Sequence, residues 1–348
     1  MKIPVVFAFD DNYALPASIA IQSLLESKKT STEYEVIVFH GGLKPRTIRK
    51  MELICPIRWI KADANTLKNA PQGWSGLETY YRLLIADLLP EYDKVIWSDV
   101  DVLFKGDLAD IYAQDLQGAD WGGIIAEKQD EKQGVHPHYS ENKKPYVYMP
   151  GFMVIDAKLW RQKKMFERFL TIIQKYGKNL RMFDLDILNL AADKIYPVPF
   201  EYCVLENIYD ELEKAPEYPW LERAHGQEAL LKAQKNPIII HYAGRCPKIW
   251  LRGRDEIAEY YWRYIEKSPF YNQNDYVWSK AKALELLVLK ILKALLVIKP
   301  WRRKVKQRIT KLKEQKDKNY EKMDDRINSC TLSTKKIEKE IFPETKFF

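Results

Sequence analysis

The chain has 348 residues, of which 46% are hydrophobic, 30% charged and 13% aromatic, and this composition excludes wholesale disorder and fibrous repeats. Its four cysteines include no C-x-x-C pair, which argues against a disulfide scaffold or a zinc ribbon and favours a reducing cytosol. The first residues lack the long apolar core and the cleavage site of a signal peptide. The sequence contains no run of about 18 uncharged apolar residues, so we expect no membrane-spanning helix.

The net charge of +8 is unevenly distributed along the chain. Residues 280–348 contain 20 Lys and Arg against nine Asp and Glu, whereas the preceding residues contain 36 and 39. The body of the protein is therefore slightly acidic, and the tail carries the whole basic excess. Such an asymmetry predicts an anionic partner for the tail alone.

The first 60 residues alternate between predicted strands and helices. The opening strand, residues 3–9, is apolar throughout rather than at alternate positions, which is typical of a strand buried on both faces. Helical spacing of apolar residues follows at 16–25 and 45–54, and short apolar runs predict strands at 35–40 and 57–60. This alternation predicts a doubly wound α/β sheet.

Further elements are predicted along the rest of the chain. Apolar runs predict strands at 94–97, 122–126, 152–155 and 238–241. Helical spacing predicts helices at 79–89, 159–175, 184–192 and 254–266. Residues 127–148 are polar, and we expect them to form a loop or lid.

The sharpest local motif is Asp99-Val100-Asp101, which follows an apolar strand. Residues two apart in an extended chain point the same way, so the two carboxylates are expected to converge at the carboxyl end of that strand, where open α/β sheets bind ligands. Repulsion between them favours a hard cation such as Mg²⁺ or Mn²⁺. A solvated turn with two surface acids is the alternative interpretation.

Two weaker motifs accompany it. The sequence AFDDNY at 8–13 follows the opening strand and is suited to hold a nucleotide, with an Asp binding the base or ribose and Tyr13 stacking. A polar loop that caps the next helix is the alternative there. His241 ends the last predicted strand, Gly244 would let the backbone approach a phosphate, and Lys248 would neutralise one. A structural buried histidine is the alternative for this second motif.

Taken in order, these motifs resemble those of glycosyltransferase family 8. The most similar members are the bacterial galactosyl- and glucosyltransferases of lipopolysaccharide and lipooligosaccharide, with glycogenin as a remoter relative. The family's motifs A-x-D-D-N-Y, T-Y-x-R-L, D-x-D, D-x-D-I-L-N and H-x-x-G-x-x-K-P-W are matched at 8–13, 79–83, 99–101, 184–189 and 241–250. The resemblance covers residues 3–270.

The resemblance implies a fold, a reaction and a set of site residues. The fold would be a single-domain, Rossmann-like mixed α/β domain of the nucleotide-diphospho-sugar transferase (GT-A) type. The reaction would be transfer of a hexose from a UDP-sugar with retention of the anomeric configuration. Mn²⁺, with Mg²⁺ as the alternative, would be held by Asp99, Asp101 and His241. The predicted catalytic residues are Arg82, Asp184 and Asp186. The residues predicted to bind the nucleotide sugar are Ala8, Asp10, Asn12, Tyr13, Arg82, Asp99, Val100, Asp101, Gly244 and Lys248.

Three departures from the family pattern qualify this assignment. Leu185 stands where the family commonly has Gln next to the anomeric carbon, so a covalent intermediate through that position is excluded and front-side attack by the acceptor is favoured. Met149 replaces the Asn that normally bonds the donor sugar, which leaves the identity of the hexose open. An extra residue precedes Lys248, so either Lys248 or Arg245 serves the diphosphate.

The tail, residues 279–348, is predicted to be a membrane-associating segment that follows a catalytic domain of residues 1–278. Residues 281–298 have a charged and an apolar face, and the dense basic stretch RRKVKQRITKLK comes soon after them, a combination typical of a helix lying in the membrane interface. Anionic lipid attracts each Lys or Arg with about 1 kcal/mol. The predicted location is therefore cytoplasmic, at the inner face of the membrane. A helix packed on its own domain is the alternative.

The favoured function is glycosyl transfer to a cell-surface or lipid-linked glycan, as in lipopolysaccharide biosynthesis. A self-glucosylating protein similar to glycogenin is an alternative, since 21 Tyr are present, but the membrane-type tail argues against it. A catalytically impaired relative that only binds a nucleotide sugar is a second alternative, supported by Leu185 and Met149. No nucleic-acid partner is expected, because no known binding module accompanies the basic tail.

Overall fold

The computed structural model describes residues 2–71, 76–128, 144–180, 182–206, 219–243, 248–252 and 257–272, with the single positions 288, 308 and 310. The chain divides into two compact units, Met1–Ala243 with Lys267–Phe270 and Gly244–Glu266 with Tyr271–Phe348. The predicted domain boundary at 278 and nearly all of the predicted membrane-associating tail lie outside the described residues. Within the described ranges, no helix has both the length and the apolar character needed to span a membrane.

The described strands form two sheets in the first unit. The strands are β1 (Lys2–Ala8), β2 (Glu33–His40), β3 (Ile57–Lys61), β4 (Lys94–Ser98), β5 (Val102–Phe104), β6 (Trp121–Lys128), β7 (Tyr146–Asp156), β8 (Ile195–Pro197), β9 (Val204–Leu205) and β10 (Ile239–His241). The larger sheet has the order β3-β2-β1-β4-β7-β6-β8, and the smaller has the order β5-β10-β9.

Helices of the first unit cover both faces of the larger sheet, whereas the last helix, Glu259–Lys267, belongs to the second unit in all but its final residue. The described α-helices are α1 (Ala14–Ser27), α2 (Pro45–Met51), α3 (Ile85–Leu88), α4 (Ala109–Ala113), α5 (Ala157–Gln162), α6 (Met165–Tyr176), α7 (Asp184–Ala191), α8 (Pro219–His225), α9 (Gln227–Lys235) and α10 (Glu259–Lys267). Short 3-10 helices lie at Asp11–Tyr13, Ala64–Leu67, Leu77–Leu84, Gly177–Asn179, Phe200–Tyr202 and Ile249–Leu251.

The larger sheet is mixed rather than wholly parallel. Strands β3, β2, β1 and β4 run parallel to one another, as the βαβ alternation predicts. Strand β7 runs antiparallel to both of its neighbours, β4 and β6. The predicted mixed α/β class is therefore confirmed, with the antiparallel strand inserted beside β4.

Two hydrophobic cores flank the larger sheet, and β1 contributes to both. Val5 and Phe7 belong to one core, together with residues of α1. Val6 belongs to the other, together with residues of α5, α6 and α7. Because neither face of β1 meets water from Ile3 to Phe7, this part of the strand has no position at which a polar side chain would be favoured. This explains the uninterrupted apolar run at the start of the sequence.

Two predicted helices differ from the structure. The helix expected at 79–89 is a 3-10 helix over Leu77–Leu84 followed by α3, and its three-residue period lets the Arg82 Nε–H donate to the Thr79 carbonyl at 3.0 Å. The helix expected at 159–175 is split into α5 and α6, because Lys164 adopts the left-handed conformation with φ of 50°. Just before that turn, Lys163 forms an ion pair at 2.6 Å with the fully buried Asp120.

The second unit is described only in short stretches. In it, the ammonium of Lys248 lies 5.8 Å from the centroid of the Trp250 ring. The ring of Trp262, on α10, meets the ring of Tyr271 edge to face with centroids 5.9 Å apart. Edge-to-face contact is one of the preferred arrangements of two aromatic rings.

Candidate functional site

The chain crosses from the larger sheet to the smaller one through Asp99-Val100-Asp101. Strand β4 ends at Ser98 and β5 begins at Val102, so the three residues form a bend rather than an extended segment. The Val100 side chain is 6% exposed and packs into the core, while Asp99 and Asp101 keep side-chain exposures of 25% and 15%. The predicted convergence of the two carboxylates is confirmed, but its predicted cause, an extended chain, is wrong.

His241 completes a cluster with these two carboxylates. Strand β10 runs antiparallel to β5 with His241 opposite Val102, which brings the imidazole beside the bend. Its Nε2 lies 3.2 Å from Asp101 Oδ1 and 3.8 Å from Asp99 Oδ2. One candidate ligand atom from each of the three side chains lies within 4.8 Å of the others. Two carboxylates and an imidazole fit a divalent cation, and the nitrogen favours Mn²⁺ over Mg²⁺.

Gly151, on β7, forms the wall behind this cluster. Its carbonyl accepts a hydrogen bond from the Asp99 N–H at 2.8 Å. A Cβ at this position would lie only 2.6 Å from Cε1 of His241 and 3.3 Å from Oδ2 of Asp99. Any larger residue would therefore displace the imidazole from the two carboxylates.

The pKa of His241 depends on its burial and on the acidic groups around it. Burial by itself disfavours an imidazolium, but the neighbouring Cys203 and Asp101 raise the pKa of His241 well above its ordinary value. The Cys203 Sγ lies 3.2 Å from His241 Nδ1. The other nitrogen, Nε2, is the one that faces the carboxylates. A cation bound at Nε2 would take the place of a proton there.

Arg82 connects the carboxylate cluster to the start of α7. Its side chain is 4% exposed, and its Nη2 donates to Asp99 Oδ1 at 2.7 Å. Its Nε lies 3.2 Å from Asp184 Oδ2, and its Nη1 donates to the Pro150 carbonyl at 2.6 Å. The guanidinium also stacks over the Trp97 ring at 4.7 Å. Arg82 is thus held rigidly between two acids.

The two acids of α7 have different surroundings. Burial raises the pKa of Asp184 to about 6, although the Arg82 charge opposes this shift. Asp186 is 3% exposed, and its Oδ2 accepts the Met182 N–H at 2.8 Å, which holds the first turn of the helix. Asp184 is therefore the carboxylate paired with Arg82.

In the turn after β1, Asp10 caps the short 3-10 helix Asp11–Tyr13, whereas α1, the helix of the alternative interpretation, begins without a side-chain cap. Asp10 Oδ1 accepts the N–H groups of Asn12 and Tyr13 at 3.0 and 3.1 Å, and its Oδ2 accepts from the Asn12 amide at 2.7 Å. Ala8 is the last residue of β1, and Tyr13 is 41% exposed. The capping fixes the shape of this turn at the carboxyl end of a strand.

A family model described as glycosyl transferase family 8 matches residues 4–253, more than half of the chain. The chain belongs to glycosyl transferase family 8. It is therefore a glycosyltransferase, and the family recognised from its ordered motifs is confirmed.

Several relatives agree with this membership of family 8. A lipopolysaccharide 1,2-glucosyltransferase of Escherichia coli is 26% identical over 288 residues, which cover 77% of this chain and 79% of the relative. The glycosyltransferase GlyF of Streptococcus pneumoniae is 23% identical over 282 residues, which cover 76% of this chain and 61% of the relative. The galactosyltransferase LgtC, solved with donor and acceptor sugar analogs, superposes with a TM-score of 0.62 at 21% identity, over 76% of this chain and 95% of that one. The GT-A type of fold is thereby confirmed.

Within this family 8 enzyme, the structure brings together some of the predicted site residues. Asp99, Asp101 and His241 form one cluster. Arg82 links this cluster to Asp184, because its guanidinium pairs with both Asp99 and Asp184. Gly244 lies outside the described residues, and Lys248 belongs to the second unit and is described there alone. The individual roles of these residues stay predictions.

Three residues of this glycosyltransferase escaped the sequence analysis. Cys203 contacts His241 from a position with no exposure at all, and a lone buried cysteine carries no signal in a sequence. Gly151 was visible only as part of a segment lacking the family's Asn. Asn189 was recognised only as the last residue of the D-x-D-I-L-N motif, and nothing in the sequence indicated its role.

Proposed function

We propose that this family 8 enzyme transfers a hexose from a UDP-sugar with retention of configuration, in a reaction that depends on Mn²⁺, with Mg²⁺ as the alternative. The observation that carries the proposal is the cluster of Asp99, Asp101 and His241, whose candidate ligand atoms lie within 4.8 Å of one another. When bound, the cation would offset the negative charge that UDP gains as a leaving group.

The protein's own residues divide the remaining work. Arg82 is fixed by the Pro150 carbonyl and the Trp97 ring, so it would hold the Asp184 carboxylate facing the donor sugar. Preorganisation of this kind removes the cost of reorienting charges during the reaction. The uridine end would be bound by the turn after β1 and the diphosphate by the segment after β10, through Ala8, Asp10, Asn12, Tyr13, Val100, Gly244 and Lys248.

Retention would follow from front-side attack by the acceptor hydroxyl. Leu185 lies on α7 between Asp184 and Asp186, and its side chain has neither a nucleophilic atom nor a hydrogen-bond donor. Asp186 is engaged by the Met182 N–H, and Asp184 is paired with Arg82. Because both carboxylates already have partners, we assign them an orienting role and not that of a nucleophile that attacks the sugar.

The proposed acceptor is a cell-surface or lipid-linked glycan of the lipopolysaccharide type. The similarity to a lipopolysaccharide 1,2-glucosyltransferase supports this class of acceptor. We further propose that residues 279–348 form a tail that binds anionic membrane at its cytoplasmic face, after a catalytic domain of residues 1–278. The basic excess of the tail supports an anionic partner.

One screen tests this proposal. The full chain is incubated with UDP-glucose, UDP-galactose, UDP-N-acetylglucosamine or UDP-N-acetylgalactosamine, and UDP release is measured with Mn²⁺ and with excess EDTA. We expect release from at least one donor with Mn²⁺ and none with the chelator. Release that persists in EDTA would contradict the metal dependence. Binding of UDP-sugars without any turnover would favour the catalytically impaired alternative, for which Leu185 is the specific observation.

A further inference from the structure

The side chain of Asn189, on α7, is engaged at every polar atom although the proposed function gives it no role. The residue is 2% exposed. Its Oδ1 accepts the Tyr148 N–H at 2.9 Å, and its Nδ2 donates to the carbonyls of Tyr148 and Leu185, each at 2.8 Å. A carboxamide has two N–H donors and one carbonyl, so this buried group is fully used.

Tyr148 lies on β7 beyond the part of the strand that β4 covers. The pairing of β7 with β4 ends at Phe152, opposite Ser98, because the chain then bends into Asp99. At Tyr148, the Asn189 amide offers a donor and an acceptor side by side, as the peptide group of a neighbouring strand would. One side chain of α7 thus takes the place of the strand that is missing there.

A second connection joins the same two elements. Arg82 donates to the Pro150 carbonyl on β7 and pairs with Asp184 at the start of α7. Strand β7 and helix α7 are therefore held together at two points, by Arg82 near the N-terminus of the helix and by Asn189 five residues later. Hydrophobic packing in the second core holds α7 as well, and the two polar contacts add a fixed direction and register against β7.

We propose that Asn189 is a positioning residue, whose amide fixes α7 to β7 and thereby holds Asp184 against Arg82. This inference rests on the proposed function, in which Asp184 faces the donor sugar. None of the hydrogen bonds of Asn189 involves Asp99, Asp101 or His241. Its removal should therefore lower turnover and leave the affinity for the cation unchanged.

The test compares variants of the full chain. Asn189→Ala removes all three hydrogen bonds, and Asn189→Asp keeps the volume and the acceptor but loses both donors. Tyr34→Phe is the matched control, because it removes a hydroxyl that accepts the Leu108 N–H at 2.8 Å in another part of the same unit. The readouts are kcat and KM for the UDP-sugar, Mn²⁺ affinity by electron paramagnetic resonance, melting temperature, and hydrogen exchange of the Tyr148 amide.

We expect both Asn189 variants to lower kcat by about tenfold or more, since small misplacements of reacting groups are costly, with Mn²⁺ affinity within about twofold of wild type. The Tyr148 amide should exchange faster in Asn189→Ala, which removes its acceptor, and Tyr34→Phe should keep its kcat. If Asn189→Ala does not fold, the nearly isosteric Asn189→Asp decides the matter. An unchanged kcat, a parallel loss of Mn²⁺ affinity, or an equal loss of kcat in Tyr34→Phe would overturn the inference. A wild-type chain without turnover would instead reject the proposed function, and the positioning role with it.

Discussion

The thiol of Cys203 lies 3.2 Å from Nδ1 of His241, on the side of the imidazole opposite the two carboxylates. Strand β9 pairs with β10 immediately after Cys203, with Leu205 opposite His241, so the contact is set by the register of the smaller sheet. A hydrogen bond at Nδ1 fixes the orientation of the ring and leaves Nε2 directed at Asp101.

Removal of this thiol should weaken binding of the cation. We expect Cys203→Ala to lower Mn²⁺ affinity about tenfold, the usual cost of losing a group that orients a metal-binding histidine, and Cys203→Ser to restore most of it. Cys55→Ala is the control, because that half-buried cysteine belongs to a different part of the first unit. The measurement is titration with Mn²⁺ alone, followed by electron paramagnetic resonance. Equal affinities for Cys203→Ala and wild type would contradict an orienting role.

Asp101→Ala should abolish UDP release while the protein remains folded. The substitution removes one of two carboxylates that face His241, and the remaining set is too weak to hold a divalent cation beside a diphosphate. Asp110→Ala is the matched control, since Asp110 is an exposed carboxylate paired with Lys29. UDP release and far-UV circular dichroism are measured for both variants. Full activity in Asp101→Ala would refute the assignment of the metal site.

The stability of the enzyme should depend on pH through Asp184. Burial raises the pKa of this carboxyl from 3.8 to about 6, so the folded state binds its proton more tightly than the unfolded state does. The resulting cost is absent below pH 4, grows between pH 4 and 6, and is complete above pH 6. At about 1.4 kcal/mol per pKa unit, it amounts to at most about 3 kcal/mol.

Asp184→Asn isolates this effect, because the variant cannot titrate at that position. The free energy of unfolding of wild type minus that of Asp184→Asn should fall as the pH rises from 4 to 6 and then stay level. Urea denaturation at several pH values measures it. A difference that is constant over this range, or that grows with pH, would show that Asp184 is not the buried acid described.

No sugar–enzyme adduct should accumulate when the enzyme is given donor without acceptor. Leu185 provides no nucleophile at the centre of the D-x-D-I-L-N motif, and the flanking acids are engaged by Arg82 and by the Met182 N–H. Intact-protein mass spectrometry should therefore find the unmodified mass. A hexose adduct mapped to Asp184 or Asp186 would replace the front-side mechanism with double displacement.

The tail should bind anionic vesicles in a salt-dependent way. Electrostatic attraction is screened over about 8 Å at physiological ionic strength, so added salt should release the protein from the vesicles. Co-sedimentation with anionic and with neutral vesicles compares three proteins. They are the full chain, a chain ending at residue 278, and a full-length variant in which Arg302, Arg303 and Lys304 are changed to Glu. Only the unaltered full chain should sediment strongly with the anionic ones. Equal sedimentation of all three would favour the alternative interpretation, in which the tail is a helix packed on its own domain.

The parts that the sequence predicted are those in which local pattern and tertiary environment agree. The strand over Lys2–Ala8 is buried on both faces from Ile3 to Phe7, and the apolar run of the sequence predicts this directly. His241 and the D-x-D pair were recognisable because they belong to a set of five motifs that match those of the family in order, whereas each motif alone left a structural alternative open. The family resemblance then predicted that the three would meet.

The parts that escaped prediction depend on contacts between distant segments. The 3-10 helix over Leu77–Leu84 and the left-handed Lys164 are set by tertiary contacts, which helical periodicity does not record. The bend at Val100 exists because the chain must leave one sheet for the other. Cys203 and Asn189 act across 38 and 41 residues of sequence, on His241 and Tyr148 respectively.

The bend through Asp99, Val100 and Asp101 has a consequence for the lifetime of the protein. One candidate ligand follows a strand of the larger sheet and another lies on a strand of the smaller sheet, so a bound cation would cross-brace the two. A ligand that binds only the folded state adds its binding free energy to that of folding, about 2.7 kcal/mol at a hundredfold excess over Kd. Metal starvation should therefore shorten the survival of the enzyme against proteases as well as silence it. Its abundance in a cell would then follow the supply of that cation even at constant synthesis.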